Sequence, residues 1–119
     1  MLTVVRVFVG LLLATGVLAL VIGLGLWWGA FAGLLTWHMG LGVTVVFSLW
    51  VLAVAAWRKT KRIGPSAAAF AWSLAVVALG VTQGRLLPGS MHWIVQVGHL
   101  LSAGVTIGLG RALAAAARR

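Results

Sequence analysis

The sequence predicts an all-α membrane protein, a four-transmembrane-helix bundle with up-down-up-down topology. Hydrophobic residues make up 63% of its 119 residues and charged residues only 8%, whereas about a quarter of a soluble domain is charged. A segment of about 20 apolar residues is long enough to span a bilayer, and short connections make consecutive helices antiparallel. We expect residues 1–119 to form a single domain, with spans at about 4–28, 33–57, 66–84 and 91–113.

The first span is expected to be retained rather than cleaved. Residues 1–22 resemble a signal peptide, with Arg6 ahead of an apolar run. The run continues to Trp28, however, and is longer than the apolar part of a signal peptide. Two tryptophans and the glycine-rich stretch Gly29–Gly33 then end the span, as is typical of a membrane interface.

The other two connections carry turn residues. The basic stretch Arg58–Arg62 is followed by Pro65, which suits the first turn of the third helix. The last connection contains the turn Pro88–Gly89, and Ser90 is the expected N-cap of the fourth helix.

All nine charged residues are basic, and all except Arg85 are predicted to lie on one side of the membrane. The positive-inside rule makes that side cytoplasmic, so both termini are expected in the cytoplasm of a bacterial-type cell, with the bundle in the inner membrane. The clusters also predict attraction to anionic lipid, and they do not indicate nucleic-acid binding. The charges on the basic side are Arg6, Arg58, Lys59, Lys61, Arg62, Arg111, Arg118 and Arg119.

Three histidines stand out because the chain contains no Asp or Glu. His38, His92 and His99 lie in or beside apolar segments, where an ionisable side chain needs a partner. Without carboxylates, the leading candidate is a cofactor that binds imidazole directly, and haem iron is such a partner. The chain has no Cys, which excludes disulfides, iron–sulfur clusters and covalent c-type haem but leaves haem b, with one group per chain.

Spacing places the polar groups of the fourth helix on one face, with His92, Gln96, His99 and Ala103 separated by four, three and four residues. The second and fourth helices run in the same direction, so their histidines come to similar heights. His38 and His99 are therefore the predicted axial ligands, and the predicted cofactor contacts are His38, His99, His92, Arg85, Gln96, Gly42 and Ala103.

For several of these residues, a structural role without a cofactor is an alternative. A histidine in a membrane helix can serve as an interhelical hydrogen-bonding group, and for His92 alone that role is favoured. Arg85 can clamp a cofactor carboxylate or extend to the membrane surface. The pattern Gly104-x-x-x-Gly108 predicts helix packing, whereas glycines beside the histidines, Gly40, Gly42 and Gly98, can leave room for a flat macrocycle.

The stretch Thr82–Ala103, with Gln83-Gly84, Pro88-Gly89, His92 and Gly98-His99, resembles one four-helix half of the haem A synthase family. The resemblance implies a haem-binding bundle with one histidine each from the second and fourth helices. That family carries a Glu three residues before the histidine of the second helix, and this chain has Leu35 there. A single half without the Glu is not expected to make haem A.

The sequence thus predicts a small membrane b-type cytochrome with bis-His ligation, used for electron transfer and not an enzyme on its own. It would act in a larger respiratory or photosynthetic complex or as a homodimer, with quinone as a possible reaction partner. The alternatives are a cofactor-free accessory subunit and a haem transfer protein. Proton-coupled transport is disfavoured because the first helix carries no ionisable group except Arg6.

Overall fold

The computed structural model describes all residues, Met1–Arg119, and is entirely helical outside the connections. Four of the helices are long and apolar enough to cross a membrane. The helices are α1 (Leu2–Trp27), α2 (Leu35–Thr60), α3 (Ile63–Thr82) and α4 (His92–Arg118), with short 3₁₀ helices at Ala32–Leu34 and Gln83–Arg85.

Two helices run past the ends of their predicted apolar spans. Helix α2 continues through Arg58 to Thr60, and α4 continues to Arg118. Hydropathy marks only the apolar part of a helix, and the alanines and arginines that follow are strong helix formers. The basic residues therefore lie on helical extensions of the apolar spans.

The turns explain where the helices end. Lys61 takes a left-handed conformation (φ 59°) and donates its backbone N–H to the Trp57 carbonyl, which closes α2. Pro65 lies in the first turn of α3 as expected. The predicted cap at Ser90 is wrong: Met91 is the N-cap of α4, and the His92 N–H bonds the Gly89 carbonyl instead.

Contacts between consecutive helices run in opposite sequence order. Between α1 and α2, His38 contacts Ala19 and Phe47 contacts Phe8. The same inverse order relates α2 to α3 and α3 to α4, and α1 also packs against α4. The pairs that show it are Trp50 with Ser73, Ala53 with Ser66, Trp72 with Thr106, and Gly16 with Ile107.

The core is narrow, and the outer surface is apolar. Only 22 of the 119 residues are buried, with Leu12, Leu49 and Leu52 the largest fully buried side chains. Large apolar side chains elsewhere are open, with Trp37 69% and Val43 68% exposed. A surface of this kind is stable against lipid rather than water.

Hydroxyl and indole groups join the helices inside the bundle. The Trp50 indole donates to Ser73 (2.7 Å), and the Trp72 indole donates to Thr106 (3.0 Å). The Ser66 hydroxyl donates to the Ala53 carbonyl at 2.8 Å. Each such bond in a membrane bundle contributes about 0.6 kcal/mol on average.

Glycines on α4 play two different roles. A Cβ at Gly110 would lie 2.5 Å from Leu12 Cδ1, so this glycine permits close packing with α1. Gly104 and Gly108 meet nothing within 4 Å. Another helix of this chain therefore does not pack closely on Gly104 or Gly108, and both positions are exposed.

This difference predicts unequal effects of two matched substitutions. Gly110→Ala should destabilise the bundle by about 1–3 kcal/mol, because buried Leu12 has little room to move. Gly108→Ala adds the same methyl group to open space and should leave stability unchanged or slightly raised. Reversible unfolding in mixed micelles measures both; equal stability of the two variants would contradict the packing role of Gly110.

Candidate functional site

The structure brings His38 of α2 and His99 of α4 together. Their ring centres lie 6.2 Å apart with the ring planes at 64°. No charged side chain of opposite sign is available to either ring, because the chain has no Asp or Glu. The pair is thus an imidazole-only donor set between two helices.

The His38 ring is held by a backbone carbonyl of α1. Its Nδ1 lies 2.9 Å from the Ala19 oxygen. A carbonyl only accepts hydrogen bonds, so Nδ1 carries the proton and, in the neutral ring, Nε2 has a free lone pair. This arrangement is typical of a histidine whose Nε2 binds a metal.

His99 lacks such an arrangement. Its Nδ1 is buried and has no hydrogen-bond partner. A buried polar atom without a partner costs about 1–3 kcal/mol. The His99 imidazole therefore retains unused binding capacity inside the bundle.

Two glycines make room for the rings. A Cβ at Gly23 of α1 would lie 2.9 Å from His38 Cε1, and a Cβ at Gly80 of α3 would lie 3.2 Å from His99 Cε1. Sequence reasoning missed both, because it searched only the histidines' own helices. The sequence does contain a glycine near the end of each neighbouring span, Gly23 in the first and Gly80 in the third, and these two residues could have been considered as ring contacts.

The two rings open on a cavity of about 340 Å³. Its walls include Gly42, Gln96 and Ala103, as predicted from the helix faces, whereas Gly40 and Gly98 do not line it. Helix α1 supplies a whole wall that the sequence did not indicate. The α1 lining residues are Gly16, Ala19, Leu20, Gly23, Leu24, Leu26 and Trp27.

One end of the cavity is polar. His92 lines it, with Nδ1 3.1 Å from the Leu86 carbonyl, and Gln83 and Gln96 lie on the same wall. Arg85 has an exposed side chain and does not line the cavity. Successive residues of a 3₁₀ helix point about 120° apart, so Gln83 faces the cavity while Arg85 turns outward.

Leu35 also lines the cavity. An aliphatic side chain cannot accept or donate a proton, so this wall of the cavity offers no acid–base group.

The donor set limits which cofactor these residues suit. No group of three or more His, Cys, Asp or Glu side chains is present, and protein-bound zinc takes three or four such ligands. Haem iron needs only one or two ligands from the protein. His38 and His99, whose rings are in edge-to-face contact, are the two residues that would hold such an iron.

Comparison of the chain with known protein families, curated proteins and solved structures finds no match.

The carbonyl contact predicts the tautomer of His38. In the protein without cofactor, His38 should carry its proton on Nδ1 at neutral pH, because Ala19 supplies only an acceptor. Nitrogen-15 NMR of histidine-labelled protein in lipid distinguishes the two tautomers, and His38→Gln assigns the signal. A His38 signal with the proton on Nε2 would contradict the contact.

Proposed function

We propose that the chain is an inner-membrane b-type cytochrome whose haem is bound between α2 and α4 by His38 and His99. The main support for this proposal is that the imidazole rings of His38 and His99 line the same cavity. One ring is oriented by Ala19, and the other has a buried nitrogen without a partner. A chain without carboxylates leaves a metal centre as the natural partner for this pair.

The proposal includes an up-down-up-down bundle that crosses the membrane four times, with both termini cytoplasmic. It is supported by the apolar lengths of the helices and the inverse order of their contacts. Basic residues at the start of α1, in the α2–α3 connection and at the end of α4 support the orientation, as does the single Arg85 at the other end.

The chain is free of cysteine, so single cysteines test this topology directly. Ser90→Cys should react with a membrane-impermeant maleimide added to intact spheroplasts, because the α3–α4 connection would face outward. Thr60→Cys, in the basic α2–α3 region, should react only after the membrane is opened. The reverse pattern would invert the proposed orientation, and labelling of both from outside would rule out the four-span topology.

Each residue of the site has a physical task in this proposal. Ala19 orients the His38 ring, and the two opposing glycines give both rings space. The aliphatic walls exclude water, which influences the potential of a buried metal centre. Gln96 can donate hydrogen bonds to carboxylate groups, whereas neutral His92 already donates its one N–H to the Leu86 carbonyl.

Haem held in this way would supply one-electron redox chemistry. If His38 and His99 both hold the iron, no position on it would remain for oxygen or substrate. Leu35 in place of a Glu removes an acid–base group from the cavity wall. Electron transfer, rather than chemistry on a bound substrate, is the role that these features favour, within a larger membrane complex or a homodimer and with quinone as a candidate partner.

The test is haem content. Protein made with ample haem should contain about one haem b per chain and show sharp reduced α and β bands. His38→Ala and His99→Ala should each lower bound haem at least about tenfold, since losing even a supporting group around a metal costs 10–100-fold. His92→Ala is the matched control and should retain the low-spin spectrum, because His92 already bonds the Leu86 carbonyl.

The other outcomes separate the alternatives. Circular dichroism and gel filtration establish that each alanine variant still folds. Unchanged haem content in both folded ligand variants would refute the assignment of these histidines. A colourless wild-type protein would refute the cytochrome and favour the cofactor-free accessory subunit. Rapid transfer of haem to an apo-acceptor would favour the haem transfer protein instead.

A further inference from the structure

A second cavity lies in the half of the bundle remote from the histidines, in a groove between α1 and α4. Its volume is about 530 Å³. Two arginines and five small or aliphatic residues line it: Val9, Leu13, Gly108, Arg111, Ala112, Ala115 and Arg118. The volume lies in the range of small-ligand sites.

Helix geometry explains why these residues share one groove. On α4 the lining positions recur every three or four residues from Gly108 to Arg118, so they form one face. On α1, Val9 and Leu13 are one turn apart, and Arg6 shares their face by spacing. Gly108 meets nothing within 4 Å, which leaves the floor of the groove open.

The charges of the groove lack partners within the protein. Arg111 and Arg118 are exposed, and the chain contains no carboxylate side chain to pair with either. The two residues are seven positions apart on one helix, so Arg111 lies about 10 Å further along the bundle axis than Arg118. In the proposed orientation Arg111 is the deeper of the two and has apolar side chains around it.

We propose that this groove binds an anionic phospholipid, with the arginines contacting the phosphodiester and the small apolar residues contacting an acyl chain. Guanidinium groups bind phosphate in a bidentate manner. The small residues Gly108, Ala112 and Ala115 leave a groove beside the arginines, with Val9 and Leu13 of α1 on its other side. The inference rests on the proposed membrane insertion and orientation but does not depend on haem.

Charge complementarity selects this occupant over a second helix. If a helix from a second copy of this chain packed into the groove, Arg111 and Arg118 would lie against an apolar surface. The second copy has no acidic side chain that could pair with them. Anionic lipid of the cytoplasmic leaflet supplies the missing charge and attracts basic residues near that surface.

Native mass spectrometry of the full chain tests the site. Protein in neutral detergent is mixed with equal amounts of phosphatidylglycerol and phosphatidylcholine, and the retained lipid is counted. The wild type should retain phosphatidylglycerol selectively. Arg111→Gln/Arg118→Gln should weaken that selectivity by about tenfold or more, which corresponds to two basic contacts.

Two further variants separate a site from general surface charge. Arg58→Gln/Arg62→Gln removes the same charge away from the groove and should retain selectivity. Gly108→Leu keeps both arginines but fills the groove, and it should reduce retention of the lipid in a protein that remains folded. Equal loss in both arginine pairs, or full retention in Gly108→Leu, would overturn the inference.

The remaining outcomes identify a wrong occupant. Displacement of phosphatidylglycerol by free glycerol phosphate would show a simple anion site and overturn the lipid assignment. A lipid-free dimer that Gly108→Leu dissociates would show that a second copy covers the groove. Haem content should be the same in all these variants, so a failed lipid site and a failed haem site give different results.

Discussion

Satisfying polar groups inside an apolar bundle is the constraint on which this structure depends. Lipid offers no hydrogen bonds, so a polar side chain within a span must find its partner in the protein. The indoles of Trp50 and Trp72 find hydroxyl groups on the next helix, and Ser66 finds a carbonyl on the preceding one. These bonds fix which faces of α2, α3 and α4 meet, where shape alone would allow several rotations.

His99 departs from this pattern. Besides Ser48 Oγ, its Nδ1 is the buried side-chain polar atom without a partner. A serine hydroxyl can rotate and lies among helix carbonyls, but an imidazole is rigid and lies beside a second imidazole. The unpartnered nitrogen therefore belongs to a ring that lies against a second imidazole, and this separates His99 from an ordinary packing residue.

Much of this arrangement could be predicted from the sequence because membrane helices are simple in two respects. Apolar length gives the spans, and the 3.6-residue period gives the faces, so Gln96, His99 and Ala103 could be assigned to one surface. The common direction of the second and fourth helices predicted similar heights for His38 and His99, and the structure brings the two rings together. Contributions across helices were missed, including the α1 wall, Gly23 and Gly80. These contacts depend on how each helix is rotated about its axis relative to its neighbours. The residue pattern of one helix alone does not predict that rotation.

The two ends of the bundle differ in a way that bears on function. At one end, glycines and aliphatic residues, Leu35 among them, surround a pair of imidazoles. At the other end, arginines without acidic partners surround a groove of small residues. The first environment favours a neutral, water-poor centre, and the second favours anchoring to a charged leaflet. If both proposals hold, a haem bound at one end of the bundle and lipid bound at the other would keep the electron-transfer centre at a constant depth in the membrane.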